Sequence, residues 1–363
     1  TSTQFASQGR LMFGALSVSS TFLAAGLMAA LAPRSERRTS HFIIGVLMAV
    51  AAIIPFLYIA PAYASPPEVA AVDLPASMRP VRALIGEEIE LLGYSFDDAP
   101  LQPGDVLPVT LYWRARSAIG ADYNLALNLH GRALELVGKL DTWPGGGSLP
   151  TSAWTPGAIY ADTYALPVAA GARAPSLLRL DITFWEGELS DRLPIQAPDG
   201  SLLPTLLLDV GALVPARAAT IEPAALDGST FEGGFALLGY DVPTQGAPGG
   251  ELPVVLYWEV APAPAADFTV FLHLQDAGGN TVAQADGPPV GGDWPTSVWR
   301  LDGPVVDRHV LAIPGDLPDG EYRLAIGLYE PDSGARLPAF SAAGDEWSDW
   351  AVRPRAPIVI SAP

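Results

Sequence analysis

The residue types best suited to chemistry are sparse in this 363-residue chain, which contains no cysteine and four histidines. The histidines are His41, His130, His273 and His309, and no two of them have the spacing of a zinc-binding motif. The sequence also lacks a GxSxG nucleophile motif and a glycine-rich phosphate loop. It therefore indicates no catalytic constellation and no zinc site, and we expect no cofactor.

Several carboxylates are concentrated in segments that we expect to be loops. They are Asp97, Asp98, Asp293, Asp302 and Asp307. Oxygen-rich loops of this kind could gather a calcium ion. Acidic residues in exported proteins more often cap turns and keep the surface soluble, so both interpretations stay open.

Four tryptophans can be considered as two pairs, of which only the first lies at matching positions in the two copies of the PTSxW phrase. Trp154 and Trp299 both end a PTSxW phrase, and this repetition favours a shared packing role. Trp143 and Trp294 lie beside glycine-rich loops, where exposed rings could stack on a sugar. Packing in the core is the alternative for this second pair as well.

The charge balance argues against a nucleic-acid partner. The chain has 39 acidic and 20 basic residues, a net charge of −19. Residues 1–64 hold four arginines and a single acid, so the remainder carries nearly all of the negative charge. An acidic surface repels phosphate backbones, so we expect no nucleic acid to bind.

Two uncharged apolar runs in the first 64 residues predict transmembrane helices over about 11–31 and 42–60, because each approaches the length needed to cross a bilayer. The loop between them, PRSERRTS, bears three arginines and should be cytoplasmic. Everything after residue 64 would then be extracytoplasmic, at a bacterial cytoplasmic membrane. An alternative is a cleaved signal peptide ending at Ala62-Tyr63-Ala64, although the first apolar run argues against it.

The rest of the chain is an internal duplication with a period of 145 or 146 residues. PTSAW at Pro150–Trp154 returns as PTSVW at Pro295–Trp299, and LPVTLYW at 107–113 returns as LPVVLYW at 252–258. A period this long indicates two copies of a whole domain. We divide the chain into a membrane anchor (1–64), a linker (65–80), repeat 1 (81–214), a second linker (215–226) and repeat 2 (227–361).

Each copy alternates apolar and polar residues with period two, as in YNLALNL at 123–129. Turn chemistry such as AGGN at 277–280 separates these runs. The predicted fold class is therefore mainly β: two transmembrane helices followed by two tandem, homologous antiparallel β-sandwiches.

The N-terminal phrases SQGRLMFGAL and IAPAYASPP, together with LLGY, LYW, PTSxW and GLYEPDSGARL further on, resemble the last membrane segments and exported tail of some bacterial GT-C class membrane glycosyltransferases. These are related to dolichyl-phosphate-mannose protein mannosyltransferases. The resemblance covers nearly the whole chain. It implies an enzyme that takes a sugar from a polyprenyl-phosphate carrier, with its catalytic acid upstream of the residues present here.

By the same resemblance, Arg10 lies at the external mouth of a helix, where it could contact the carrier phosphate. Snorkelling to the headgroups of membrane lipid is the alternative. Three hypotheses follow for the chain: the non-catalytic C-terminal portion of such a glycosyltransferase, an accessory subunit docked on other membrane subunits, or a lectin-like module that binds envelope glycan.

Overall fold

The structure is a computed structural model that describes residues 42, 45–46, 48–49, 52–53, 56–57, 64–188, 190–217, 220–261, 264, 266–299 and 303–362. Residues from Pro66 onward form one compact unit. The predicted membrane helix at 11–31 lies outside the described residues, as does most of the one at 42–60. The described positions between Phe42 and Leu57 have helical backbone. Within the described part of the chain, no helix is long and apolar enough to cross a membrane.

Repeat 1 contains two sheets that face each other. One has the strand order β1-β7-β4-β3-β2-β9-β10 and the other β11-β8-β5-β6. All neighbouring strands in both are antiparallel. The strands are β1 (Glu68–Val69), β2 (Arg79–Ile85), β3 (Ile89–Phe96), β4 (Val106–Ala115), β5 (Asn124–His130), β6 (Leu136–Thr142), β7 (Ile159–Pro167), β8 (Ser176–Trp185), β9 (Ile195–Gln196), β10 (Leu202–Leu203) and β11 (Leu207–Leu213).

Repeat 2 reproduces this plan with the strand orders β18-β15-β13-β12-β20 and β14-β21-β19-β16-β17. The pairing of β14 with β21 is parallel. The strands are β12 (Ala225–Phe231), β13 (Phe235–Asp241), β14 (Gln245–Gly246), β15 (Glu251–Val260), β16 (Thr269–Gln275), β17 (Thr281–Gln284), β18 (Val305–Ala312), β19 (Gly320–Tyr329), β20 (Ala339–Phe340) and β21 (Ile358–Ile360).

Short 3₁₀ turns connect the strands. They are Ala71–Asp73, Arg132–Leu134, Pro144–Gly147, Thr151–Ala153, Pro289–Gly292, Thr296–Val298 and Ser348–Trp350. The prediction of a mainly β chain built from antiparallel sheets is thus confirmed.

The core of each repeat lies between its two sheets, as the alternating sequence pattern requires. In β4 the buried side chains include Leu107, Val109 and Leu111, each at most 1% exposed. Trp113 of β4 meets Phe184 of the opposite sheet edge to face, with ring centroids 5.3 Å apart. Burial of these large side chains is the main favourable contribution to the stability of the sandwich.

The sheets extend into both predicted linkers. Strand β1 lies within 65–80 and pairs with β7, with Glu68 opposite Tyr160. Strand β12 begins at Ala225, within 215–226. A strand of two residues is too short to show periodicity, which is why the first of these elements has no sequence signal.

Candidate functional site

The repeated PTSxW phrase forms a clamp between two loops of each sandwich. The hydroxyl of Thr151, which is 0% exposed, donates to the Ala121 carbonyl at 2.6 Å and accepts from the Tyr123 amide at 2.9 Å. The same contacts in repeat 2 are made by Thr296, Ala266 and Phe268, both at 2.9 Å. The threonine therefore satisfies two backbone groups that the loops leave without a strand partner.

The tryptophan that ends each phrase holds the adjoining loop. Trp154 donates through Nε1 to the Leu149 carbonyl at 3.1 Å, and Trp299 donates to the Trp294 carbonyl at 2.9 Å. The rings of Trp154 and Trp299 are 3% and 0% exposed. Both tryptophans thus have a packing role, in keeping with their matching positions.

A buried carboxylate holds the glycine-rich loop of repeat 1. Asp162, which is 2% exposed, accepts a bond of 2.7 Å from the Gly145 amide, and the Tyr164 hydroxyl donates to the same oxygen. Burial raises the pKa of Asp162, and these two hydrogen bonds oppose the shift. Burial first, and then the Asp162 charge, raise the pKa of Tyr164 well above its usual range.

Repeat 2 has the same arrangement with a different donor. Asp307 is 0% exposed, accepts from the Val290 amide at 2.8 Å and pairs with His309 Nε2 at 2.7 Å. An aspartate beside a histidine is a common catalytic pairing. Here the carboxylate is sealed from solvent and holds a loop, so the pair has the geometry of a structural clamp.

The loop held by Asp307 makes the junction between the two repeats. The Asp293 carbonyl accepts a hydrogen bond of 2.7 Å from the Leu177 amide at the start of β8. The Asp293 carboxylate accepts one of 2.9 Å from the Ala133 amide, and Arg132 Nε lies 3.9 Å from its other oxygen. Repeat 2 is therefore bound to repeat 1 through the backbone and the side chain of one residue.

Two further features belong to this junction. Arg179 of β8 donates to the Gly292 carbonyl at 3.3 Å. Ala133 has a left-handed backbone with φ 52°, which is costly for a residue with a Cβ and persists only where surrounding contacts hold it. The turn Arg132–Leu134 therefore donates the Ala133 amide and places Arg132 beside Asp293, while Arg179 of the neighbouring strand β8 donates to Gly292.

The sequence-predicted site residues lie apart from one another. Arg10 is outside the described residues. Trp143 is 51% exposed and Trp294 is 4% exposed, so the Trp294 ring has no free face for a sugar, because it packs in the core of repeat 2.

The four described acidic residues considered for calcium each have another partner, and Asp302 lies outside the described residues. Asp97 accepts from the Ala99 amide at 3.0 Å, Asp98 pairs with Arg79 at 3.1 Å, and Asp293 and Asp307 are engaged as above. Among the residues that the structure describes, no group of three or more potential metal ligands is found. The sequence did not predict the junction residues Arg132, Ala133 and Leu177. The one signal for the junction was that repeat 2 has an aspartate, Asp293, where repeat 1 has Ser148.

Comparison with known proteins adds little. No family model matches the chain, and a search of curated proteins finds no match. Among solved structures, the crystal structure of red sea bream transglutaminase aligns with 78% of this chain at 11% sequence identity and a TM-score of 0.20. The aligned part spans 32% of that protein, and a likeness at this level supports no functional argument.

Proposed function

We propose that this chain is the membrane-anchored, extracytoplasmic and non-catalytic portion of a membrane glycosyltransferase that uses a polyprenyl-phosphate sugar donor. In this proposal its two sandwiches form a fixed extension that braces the enzyme or positions an acceptor. The structural observation that supports a fixed extension is the junction at Gly292 and Asp293, because three direct hydrogen bonds across it join the two repeats.

Two further points support the proposal. The exposed side chains among the described helical positions include Phe42, Met48, Phe56 and Leu57, which are 64–76% exposed. Large apolar side chains that are exposed to this extent suit a lipid or protein environment better than water. The resemblance in the N-terminal phrases supports the glycosyltransferase lineage.

The membrane orientation of the chain can be tested by thiol labelling. Because these 363 residues contain no cysteine, an introduced cysteine is the only thiol among them. Asp199→Cys places a thiol on an exposed turn of repeat 1, and Ser35→Cys places one in the predicted cytoplasmic loop. A membrane-impermeant maleimide should label the first variant in intact cells and the second only after permeabilisation. Labelling of Ser35→Cys in intact cells, with Asp199→Cys protected, would overturn the proposed orientation.

The glycosyltransferase part needs a separate measurement. The intact mass of the native polypeptide, with peptide mapping, should show further membrane segments upstream of Thr1. If the native polypeptide consists of only these 363 residues, the proposal that it is part of a glycosyltransferase is wrong. The hypothesis of an accessory subunit would then be favoured.

A second candidate function, binding of envelope glycan, is favoured by the exposure of Trp143 alone. If it holds, Trp143→Ala should lose glycan binding while Trp350→Ala, at a ring 38% exposed in repeat 2, should keep it. Equal binding by both variants would exclude Trp143 as the sugar platform.

A further inference from the structure

The outer face of the second sheet of repeat 1 is lined by polar side chains. In β8 every second side chain from Leu178 to Phe184 belongs to the core, so the alternate side chains point away from it. These outward side chains are Arg179, Asp181, Thr183 and Trp185. Those of the neighbouring strand β5 are Asn124, Ala126, Asn128 and His130. We call this surface the β5–β8 face.

The middle of the β5–β8 face is a shallow trough. Ala126 lies directly across from Thr183, and these two small residues are only 3% and 8% exposed. Larger, partly exposed side chains border them along the strands, with Asn128 and Asp181 on one side and Trp185 on the other. A flat ligand over the small pair would therefore meet an aromatic ring at one end and polar groups at the other.

The polar end of the trough is held in place by hydrogen bonds. Asp181 accepts from the Asn128 amide group at 3.2 Å and from the Thr205 hydroxyl at 2.5 Å. An ionised carboxylate can accept about four hydrogen bonds, and an amide side chain also has an acceptor oxygen and a second N–H. The two groups thus retain capacity for a ligand, and side-by-side groups of this kind suit the adjacent hydroxyls of a sugar.

The charges that border the trough are paired. Lys139 and Asp141 of β6 lie opposite Asn128 and Ala126, and the lysine Nζ is 2.9 Å from the carboxylate. At the other side Arg179 Nε lies 3.4 Å from a carboxylate oxygen of β11. The described face therefore offers no cluster of free cations to a phosphate or an acidic polymer, and a neutral ligand fits it better.

Repeat 2 closes the same face. Phe271 takes the position of Ala126, and it forms a small separate cluster with buried residues that include Ala351. Ala351 belongs to the long connection 341–357 between β20 and β21, whereas only residues 204–206 join β10 to β11 in repeat 1. One copy of the fold thus fills and covers this face, and the other leaves it open with a hydrogen-bonding trough.

We propose that the trough on the β5–β8 face of repeat 1 binds a neutral carbohydrate chain, with a sugar ring stacked on Trp185 and hydroxyls bound by Asn128 and Asp181. The inference rests on the proposed function, because it identifies the acceptor that the sandwiches would position as a carbohydrate. The trough is a separate surface from Trp143, whose exposure alone supports the glycan site considered above.

The test is isothermal titration calorimetry of the full chain in a detergent without a sugar headgroup. The probe is the neutral oligosaccharide fraction released from the envelope of the source organism. Trp185→Ala should weaken the apparent affinity by about tenfold, because it removes the stacking ring. The double variant Ala126→Phe/Thr183→Gly recreates the pair of repeat 2 and should also lose binding, because a ring then fills the trough. Trp143→Ala is the matched control and should bind as the wild type does.

Three results would overturn the inference. The first is a wild type that does not bind the neutral fraction, or equal affinity in the wild type and both trough variants. The second is loss of binding in Trp143→Ala alone, which would assign the sugar to that ring. The third is a wild-type dimer that becomes monomeric in Trp185→Ala, which would assign the face to a second copy of the chain.

These results are distinct from a failure of the proposed function. A trough that binds no sugar leaves the membrane orientation and the upstream segments to be judged by thiol labelling and by the intact mass. A native polypeptide without upstream segments, in which the trough still binds, would remove the glycosyltransferase and keep the carbohydrate site.

Discussion

The Asp293 carboxylate of repeat 2 accepts a hydrogen bond of 2.9 Å from the Ala133 amide of repeat 1. The side chain of Asp293 is 17% exposed, whereas Ala133 lies at the exposed surface of its turn. The two sandwiches therefore form a tandem with a defined contact. A hydrogen bond to a charged acceptor contributes about 2 kcal/mol, which is enough to favour one arrangement over many.

Asp293→Ala should loosen the junction while each sandwich stays folded. We expect faster hydrogen exchange at the Ala133 amide, because its acceptor is gone, and a larger radius of gyration in solution scattering. Asp316→Ala removes an exposed acid from a turn of the same repeat and serves as the control. An unchanged exchange rate at Ala133 in Asp293→Ala would contradict the assigned contact.

The sequence predicted more of the fold than of the junction. The repeated PTSxW phrase predicted matching local contacts in the two copies, and the threonine and tryptophan of each phrase do make the same hydrogen bonds. The junction joins Asp293 to Ala133 and Leu177, which are far from it in the sequence. This contact occurs once in the described structure, so no second copy of it exists for comparison. Ala133 gives no local signal either, since its left-handed backbone is imposed by the surrounding turn.

The sequence left open whether the rings of Trp143 and Trp294 are exposed or packed in the core. Trp143 and Trp294 both lie beside glycine-rich turns, yet one ring is exposed and the other buried. Their positions in the repeat differ: Trp294 corresponds to Leu149, which is also buried, whereas Trp143 corresponds to Pro288. Aligning the two copies residue by residue would have separated them.

The threonine clamp should matter equally in both repeats. Thr151→Val keeps the side-chain shape but removes a hydroxyl that serves Ala121 and Tyr123, and leaving buried backbone groups unpaired costs about 1–3 kcal/mol. Chemical denaturation should show a loss of this size, and Thr296→Val should match it. Thr155→Val, the same substitution at an exposed threonine of the same segment, should change the free energy of unfolding far less.

The pH dependence of stability should carry a contribution from Asp162. Its pKa is raised in the folded protein above the usual 3.8, so the folded state binds the proton more readily than the unfolded state. The charged carboxylate is therefore unfavourable at neutral pH. This penalty is relieved as the pH falls through the raised folded pKa towards 3.8.

Asp162→Asn should remove that contribution, which is measurable as a change in the slope of the free energy of unfolding against pH. Asp122 provides a contrast of opposite sign. Hydrogen bonds from the Ser152 hydroxyl and amide lower its pKa, so its contribution is present above 3.8 and is lost as the pH falls through the lowered value. The same slope in the wild type and Asp162→Asn would show that burial does not shift the Asp162 carboxyl.

The last prediction concerns a pair of facing residues on the outer side of the second sheet. Phe271 lies directly across from Gly327 in repeat 2, and the corresponding pair in repeat 1 is Ala126 and Thr183. A Cβ on Gly327 would overlap the Phe271 ring at Cζ. The large ring in one repeat is therefore accommodated by the loss of a side chain opposite it.

A double-mutant cycle tests this compensation. Gly327→Thr alone should cost at least about 1–3 kcal/mol through overpacking. Phe271→Ala alone should cost about 3–5 kcal/mol, because it empties a buried ring site and removes the contact of the ring with the Arg336 guanidinium at 4.2 Å. The double variant recreates the pair of repeat 1. Its loss in the free energy of unfolding should therefore be clearly smaller than the sum of the two single losses. Strict additivity in chemical denaturation would mean that the sheet relaxes around each change independently and that the two positions are not coupled.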